Sequence, residues 1–311
     1  MHAWAHTHVP SLEGRLAVVT GANSGLGWQA ARTLAGKGAT VVMACRDQEQ
    51  ASQARLSILA EYPQARLELA RLDLADLASI RAFAEDFRQR HSCLDLLFNN
   101  AGVMFLPLRH TRDGFEMQMG TNHLGHFALT GHLLEPLLAA ERPRVVGMTS
   151  GFNQFGRLRL DDLNARRGYN RHLAYCNSKQ ANLLFSLELQ RRAEAHRTPL
   201  QSLAAHPGYA ATNLQYGASA LSGSRSGYWG MRLANALFAQ PAEMGALPAI
   251  SALTEPHWRG GAYIGPDRLL ETRGYPRAAR LPSNARDSGL AERLWSLSEE
   301  LTGVRYWSAE H

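Results

Sequence analysis

The feature that most constrains the fold is a regular alternation of short apolar runs with longer amphipathic stretches. The predicted strands are Leu16–Thr20, Thr40–Cys45, Leu67–Leu72, Leu94–Asn99, Arg144–Thr149 and Leu200–Ala205. The predicted helices are Leu26–Lys37, Gln48–Tyr62, Leu77–Arg90, Phe115–Ala140 and Leu173–His196, with Asp287–Leu301 as a final helix. Such alternation requires right-handed crossovers between parallel strands. The pattern therefore predicts an α/β fold, a doubly wound parallel sheet in three αβα layers, with strands buried on both faces.

The chain of 311 residues shows no internal repeat and no low-complexity linker. We therefore predict a single domain over residues 14–311, preceded by an N-terminal extension over residues 1–13. The stretch Gly217–Gly230 is rich in Gly and Ser. It contains Tyr228 and Trp229 and is preceded by Tyr216. It is interpreted either as part of a substrate lid near residues 212–240 or as a surface loop anchored by its aromatic side chains.

Composition excludes several classes of protein. The formal net charge is 33 − 27 = +6, but the Arg residues are scattered, which argues against nucleic-acid binding. No apolar run is long enough to span a membrane, and the first residues predict neither a secretory signal nor a membrane anchor, so a cytoplasmic location is expected. The three cysteines, Cys45, Cys93 and Cys176, are widely spaced and are expected to be free thiols. His123, His126 and His206 lack metal-ligand spacing, so no metal site is predicted.

A glycine-rich segment follows the first predicted strand. It reads Thr20-Gly21-Ala22-Asn23-Ser24-Gly25-Leu26-Gly27 and leads directly into the first long helix. Glycine lets the backbone turn tightly and approach a ligand closely, and the helix N-terminus behind it favours an anion. We predict that Gly21, Asn23, Ser24, Gly25, Leu26 and Gly27 bind the pyrophosphate of a dinucleotide.

Residues that follow the second, third and fourth predicted strands extend the predicted cofactor site. The second strand is followed by Arg46 rather than an acid, which favours the 2′-phosphate of NADP(H) over NAD(H), unless Arg46 instead pairs with Asp47. Asp73, which precedes Leu74, either accepts a hydrogen bond from the adenine amine or caps the following turn. Asn100, Ala101 and Gly102 close the fourth strand with small residues that leave room for the cofactor ribose.

The acid–base chemistry is predicted around Tyr175 and Lys179, which share one face of a helix. Lysine is rare here: of the 33 basic residues only Lys37 and Lys179 are not Arg. A nearby ammonium is expected to lower the pKa of the Tyr175 phenol from about 10. Ser150, rather than Thr149, is expected to hold a substrate oxygen at the end of the fifth strand. Asn122 either holds a water near Lys179 or hydrogen-bonds the backbone.

Together these residues resemble the short-chain dehydrogenase/reductase family, from about Gly14 to Tyr306. The resemblance implies a Rossmann-type fold and identifies Asn122, Ser150, Tyr175 and Lys179 with the family's catalytic tetrad. It also implies that Lys179 binds the nicotinamide ribose. The sequence His206-Pro207-Gly208 followed by Thr212 resembles the segment that flanks the nicotinamide carboxamide, so Pro207, Gly208 and Thr212 join the predicted cofactor site. Family members are often homodimers or homotetramers.

Within the family, three segments resemble the retinol dehydrogenase-type branch, which also contains protochlorophyllide reductases. They are residues 44–47, residues 122–127 and residues 174–179. The expected function is an NADP(H)-dependent oxidoreductase that moves a hydride between nicotinamide and an apolar carbonyl or alcohol. The alternatives are a C=C reductase of the protochlorophyllide reductase type and a low-turnover NADP(H)-binding sensor or scaffold.

Overall fold

One sheet of eight strands organises the protein, whose computed structural model describes residues 2–209 and 240–307. The strands are β1 (Leu16–Thr20), β2 (Thr40–Cys45), β3 (Arg66–Arg71), β4 (Leu96–Asn99), β5 (Arg144–Met148), β6 (Gln201–Ala205), β7 (Tyr263–Arg268) and β8 (Arg273–Ala278). Their spatial order is β3-β2-β1-β4-β5-β6-β7-β8. The first seven strands are parallel, and β8 pairs antiparallel with β7 at the edge. The predicted doubly wound α/β fold is confirmed.

Helices connect the strands and cover both faces of the sheet. They are α1 (Ala3–His8), α2 (Gly25–Gly36), α3 (Gln48–Glu61), α4 (Leu77–Arg90), α5 (Met117–Met119), α6 (Gly125–His132), α7 (Leu134–Leu138), α8 (Arg171–Ala195), α9 (Ala242–Thr254) and α10 (Ser288–Thr302). A π-helical turn, Gly120–Leu124, joins α5 to α6. Polar side chains accept hydrogen bonds from the first free N–H groups of several helices, as Asp76 does for α4 and Asn170 for α8.

The hydrophobic core lies in two layers because side chains on each strand alternate between faces. Val19, Met43 and Phe98 pack against α1, α2, α3 and α9 on one side. Val18 and Leu97 pack with α4, α6, α8 and α10 on the other. Burying both faces of the central strands stabilises the sheet and leaves its carboxyl edge as the accessible end for a ligand.

The N-terminal residues pack onto the first of these layers. Ala5, Val9 and Leu12 are buried in the core beside α2. The Lys37 ammonium, just after α2, donates a hydrogen bond to the His6 carbonyl at 2.9 Å. The segment that the sequence predicts as an extension therefore contributes a helix to the folded unit.

Several predicted elements differ from the observed ones. The helix predicted over Phe115–Ala140 is divided into α5, the π-helical turn, α6 and α7. Gly125 donates its N–H to the Gly120 carbonyl five residues back, which widens the turn. The third strand was expected to be buried, but β3 is an edge strand with mostly half-exposed or exposed side chains. The sequence analysis also missed α1, α9, β7 and β8.

A pair of Leu→Ala substitutions tests the position of the core. Leu97 on β4 is 0% exposed, whereas Leu56 on α3 is 52% exposed. Leu97→Ala leaves a cavity and is expected to lower the free energy of unfolding by about 3 kcal/mol. Leu56→Ala, the matched control, should change it by less than about 0.5 kcal/mol. Urea unfolding followed by circular dichroism measures both, and equal effects would contradict the assigned core.

Candidate active site

A cleft of about 590 Å³ opens at the carboxyl ends of β1, β2, β4 and β5. Most of the predicted site residues line it: Gly21, Asn23, Ser24, Gly25, Leu26, Arg46, Asp73, Leu74, Asn100, Ala101, Gly102, Ser150, Tyr175, Lys179, Pro207 and Gly208. Gly27 and Asn122 lie behind the lining. Thr212 and the predicted lid stretch Gly217–Gly230 lie outside the described residues.

The glycine-rich turn forms one end of the cleft. Gly21 and Gly25 adopt positive φ angles of 66° and 54°, which glycine reaches without strain. A Cβ at Gly27 would overlap the Gly21 carbonyl oxygen and the Asn100 side chain, so α2 can approach the turn this closely only without a side chain there. Residues 24–26 at the start of α2 line the cleft, and among the described residues no side chain caps this helix end. A helix N-terminus with free N–H groups fits the pyrophosphate of a dinucleotide.

The segment Asn100–Val103 forms the floor of the cleft and is held from two sides. The Thr20 hydroxyl accepts hydrogen bonds from the backbone N–H groups of Asn100 and Ala101, both at 2.9 Å. The Asn122 amide oxygen accepts from the Val103 N–H at 2.8 Å, and its NH₂ group donates to the Val103 carbonyl at 2.9 Å. This floor is consequently fixed before any ligand arrives.

Arg46 and Asp73 lie at the other end of the cleft. Among the residues that the structure describes, no hydrogen bond or ion pair uses the exposed Arg46 guanidinium. Asp47, the alternative partner, accepts hydrogen bonds from the Gln50 N–H and side chain instead. The Asp73 carboxylate accepts a hydrogen bond from the Ala75 N–H at 3.0 Å, so it caps the turn as one of the two interpretations predicted. Asp73 also lines the cleft. Arg46 is thus available to an anion beyond β2.

Tyr175 and Lys179 lie one helical turn apart on α8, as predicted, and both are buried. The Lys179 Nζ is 5.9 Å from the centroid of the Tyr175 ring and donates to the Met148 carbonyl at 3.0 Å. Burial lowers the pKa of Lys179 to about 8, because the interior disfavours the charged amine.

The predicted lowering of the Tyr175 pKa is wrong for this structure. Burial raises the pKa of Tyr175 to about 12, and the hydrogen bond with Ser150 opposes this shift only in part. The reason is that the environment that would strengthen attraction to the Lys179 ammonium also disfavours the phenolate itself. Tyr175 is therefore a neutral phenol at neutral pH, the form that can donate a proton.

Ser150 and its neighbour Thr149 point to different partners. The Thr149 hydroxyl is buried and donates to the Lys179 carbonyl at 2.7 Å. The Ser150 hydroxyl lies beside Tyr175 and accepts from the Phe152 N–H at 3.3 Å. This division follows the alternation of side chains along a chain leaving a strand, and it brings two hydroxyl groups together in the cleft.

Asn122 lies in the π-helical turn behind the cleft floor. Besides its bonds to Val103, its NH₂ group donates to the Ser178 hydroxyl at 2.9 Å. The structure thus shows the second of the two interpretations, a side chain that hydrogen-bonds the backbone. A part for Asn122 in a proton relay stays a prediction.

An aromatic wall that the sequence analysis missed stands beside Tyr175. The Phe105 ring packs edge-on to the Tyr175 ring, with 5.1 Å between the ring centroids. The centroids of the Phe152 and Tyr175 rings are 6.3 Å apart. Phe152 lines the cleft and is 41% exposed, and the neighbouring Phe155 is 60% exposed. Phe105 has a positive φ of 55°, and its N–H donates to the Gln118 side chain at 2.8 Å. No sequence signal marks this backbone conformation, although the position of Phe152 two residues after Ser150 could have been noticed.

The fold and this cleft define an α/β protein with a glycine-rich turn and a buried tyrosine and lysine at one cleft. The short chain dehydrogenase family model matches residues 15–220, so the chain belongs to the short-chain dehydrogenase/reductase family. It is therefore an oxidoreductase whose family binds a nicotinamide cofactor and acts on small-molecule substrates. The residues of the cleft fit such a cofactor, because the glycine-rich turn and the start of α2 suit an anionic group.

Similar proteins agree with this assignment. The chain is 39% identical to human retinol dehydrogenase 12 over 95% of its own length and 88% of that protein. It is 37% identical to mouse retinol dehydrogenase 11, covering 94% and 88%. An uncharacterised protein from Mycobacterium paratuberculosis is 41% identical and superposes with a TM-score of 0.81 over 98% and 99% of the two chains. Pseudomonas aeruginosa RhlG, solved with NADP, shares the fold at 23% identity, with a TM-score of 0.63 over 85% and 96% of the two chains.

Within residues 2–209 and 240–307, none of the helices has the length and apolar character needed to cross a bilayer.

The buried amine of Lys179 makes stability depend on pH. Its pKa is about 8 in the folded chain and 10.5 as a free group, so the unfolded chain binds more protons between these values and stability rises with pH there. Below pH 8 the shift corresponds to a cost of about 3 kcal/mol. Lys179→Met removes that cost and loses one hydrogen bond, so it should be more stable than wild type at pH 7 by about 2 kcal/mol. The advantage should shrink from pH 8 to pH 10.

Urea unfolding at a series of pH values measures this difference. Lys37→Met is the control, because it removes a lysine outside the cleft whose ammonium bonds the His6 carbonyl. It should bring no gain at pH 7. A Lys179→Met protein less stable than wild type at pH 7 would contradict the account of a costly buried charge.

Proposed function

We propose that the protein is an NADP(H)-dependent oxidoreductase that interconverts an apolar alcohol and the corresponding carbonyl compound. The observation that carries the proposal is the convergence of Ser150, Tyr175 and Lys179 in one cleft with the glycine-rich turn. A protein that only binds a cofactor has no use for a buried phenol beside a buried amine.

The residues have complementary parts in carbonyl reduction. When bound, a nicotinamide cofactor supplies the hydride to the carbonyl carbon. The Ser150 hydroxyl donates a hydrogen bond to the carbonyl oxygen and fixes its position beside Tyr175. The Tyr175 hydroxyl gives its proton to that oxygen as negative charge develops there. In alcohol oxidation the same proton returns to the Tyr175 oxygen.

Lys179 would support this transfer through charge. Its ammonium lies close to the Tyr175 ring and favours the phenolate formed when the proton leaves. With a pKa of about 8, the amine can exchange protons near neutral pH. Lys179 would also hold the ribose hydroxyls of the cofactor through its ammonium.

The preference for NADP(H) is supported by Arg46. Its exposed guanidinium follows β2 and lines the cleft, while Asp47 is engaged at the start of α3. A guanidinium binds a phosphate through charge-assisted hydrogen bonds, often in pairs. Arg46 would therefore hold the 2′-phosphate that distinguishes NADP(H) from NAD(H).

An apolar substrate is supported by the aromatic wall. Phe105 and Phe152 flank Tyr175, and the exposed Phe155 packs beside Phe152. The relatives named retinol dehydrogenase also point to an alcohol or aldehyde as the reacting group. We therefore extend the proposal to alcohols and aldehydes with an unsaturated or aromatic body.

Removing the Tyr175 hydroxyl tests the proton transfer. Tyr175→Phe keeps the ring packing, so the protein should fold and bind cofactor with a dissociation constant within about twofold of wild type. Turnover should fall by a factor of about 10²–10⁴, the usual contribution of a positioned acid. Tyr275→Phe, on the edge strand β8, is the control and should keep full activity.

Activity is measured as NADPH oxidation with a panel of aromatic and aliphatic aldehydes, with product analysis. Full turnover by Tyr175→Phe would contradict the mechanism. A product that has lost a C=C bond but retains its carbonyl group would instead favour the C=C reductase alternative.

Neutralising Arg46 tests the choice of cofactor. Arg46→Ala should raise the dissociation constant for NADPH by about tenfold or more, since hydrogen bonds to charged groups are the strong ones. The constant for NADH should stay within about twofold. Arg259→Ala removes the same charge from an exposed position outside the cleft and serves as the control. Cofactor fluorescence titration gives all the constants, and an equal effect on NADPH and NADH would contradict a phosphate contact.

A further inference from the structure

We propose that His126 is a positioning residue for the cleft floor, Asn100–Val103. It joins the two residues that support this floor, Thr20 on β1 and Asn122 in the π-helical turn. The inference rests on the proposed function, because it assigns His126 a purpose in cofactor binding. His126 itself lies behind the floor and does not line the cleft.

The two supports hold the same short segment from opposite ends. The Thr20 hydroxyl accepts from the N–H groups of Asn100 and Ala101, and Asn122 pairs with both backbone groups of Val103. Gly102 lies between them, and a Cβ there would be 3.0 Å from the Asn122 amide oxygen and 3.5 Å from the Lys179 Nζ. Any shift between the two supports would therefore move the floor relative to Lys179.

His126 connects the supports with one hydrogen bond to each. Its Nδ1 lies 2.9 Å from the Asn122 carbonyl oxygen. Its Nε2 lies 3.0 Å from the Thr20 hydroxyl oxygen. The imidazole ring is thus a rigid spacer between the first strand of the sheet and the turn that carries Asn122.

The partners determine the form of the imidazole. A carbonyl oxygen only accepts, so the His126 Nδ1 must carry the proton, and in the neutral ring Nε2 is then an acceptor. The Thr20 hydroxyl accepts from the Asn100 and Ala101 N–H groups. Its single hydrogen can go to Nε2 at 3.0 Å or to the Phe98 carbonyl at 3.2 Å, and the Phe98 carbonyl also accepts from the Asn100 N–H. With the hydroxyl hydrogen directed at Nε2, both ring nitrogens of His126 have a partner.

Burial keeps His126 in that neutral form. The side chain is 2% exposed, and burial together with the nearby Lys179 ammonium lowers the pKa of His126 to about 4. A protonated ring would carry a hydrogen on Nε2 and could no longer accept from Thr20. The two hydrogen bonds of His126 therefore persist throughout the physiological pH range.

His123 provides a matched control within the same turn. It is 1% exposed, and its Nε2 bonds the Ser298 hydroxyl on α10 at 2.9 Å. Its aromatic neighbours, Phe127 and Phe185, belong to the core on that side. A substitution at His123 should disturb packing as much as one at His126 while leaving the cleft floor untouched.

The experiment compares His126→Phe, His126→Asn, His126→Gln and His123→Phe in the full chain. His126→Phe removes both hydrogen bonds, whereas Asn can replace the Nδ1 donor and Gln can replace the group at Nε2. Each protein is titrated with NADPH and with NADH by fluorescence, and urea unfolding gives its folded fraction. Steady-state assays give KM for the cofactor and kcat separately.

We expect His126→Phe to raise the NADPH dissociation constant of the folded protein by about tenfold, because each hydrogen bond contributes up to about tenfold. His126→Asn and His126→Gln should restore binding in part. His123→Phe should bind NADPH within about twofold of wild type even where it is less stable. Should His126→Phe fail to fold, the Asn and Gln variants, each keeping one bond, carry the comparison.

Two results would overturn the inference alone. One is wild-type affinity in all folded His126 variants while the wild type binds cofactor. The other is the same loss of affinity in His123→Phe, which would mean that only general packing matters. A wild-type chain that binds neither NADPH nor NADH would overturn the proposed function and this inference with it.

Discussion

The parallel pairing of β1 with both β2 and β4 is the constraint on which the cleft depends. The register Val19↔Met43 on one side and Val19↔Phe98 on the other leaves Thr20 at the common carboxyl edge. Because the strand order reverses at β1, the following segments leave to opposite faces and open a crevice between them. The Thr20 hydroxyl then reaches the Phe98 carbonyl at 3.2 Å and the Asn100 N–H at 2.9 Å. One residue at the end of one strand thus links the glycine-rich turn to the floor.

Burial accounts for the electrostatics of the site more than pairwise attraction does. Tyr175 and Lys179 are 8% and 4% exposed, and their pKa values move to about 12 and about 8, each toward the neutral form. The phenol is therefore protonated at neutral pH, and the pKa of the amine lies close to neutral pH. A substrate oxygen that gains negative charge is such a change, since it draws the phenol proton toward it.

The sequence predicted those parts of the molecule that depend on local pattern. The glycine-rich turn, Tyr175 and Lys179 are each fixed by spacing within one strand or helix, and the structure places them as expected. The break in the helix over Phe115–Ala140 depends instead on close packing, since a Cβ at Gly125 would overlap the Leu74 carbonyl oxygen. The Tyr175 pKa depends on burial by distant segments, which spacing along the chain does not report. Phe105 packs against Tyr175 with its backbone N–H bonded to Gln118 on α5, a contact between distant parts of the sequence.

The scarcity of lysine has a physical meaning at one of its two positions. Lys179 places a 4% exposed amine against the Met148 carbonyl, and its pKa of about 8 shows that it can lose its charge. A guanidinium stays charged in proteins and carries five donors in a flat fork, so it could neither shed the charge nor satisfy its donors there. Lys37 is different, since the hydrogen bond it donates to the His6 carbonyl is one that Arg could also make. The rarity of a residue type is thus informative where the surroundings demand the property that its substitute lacks.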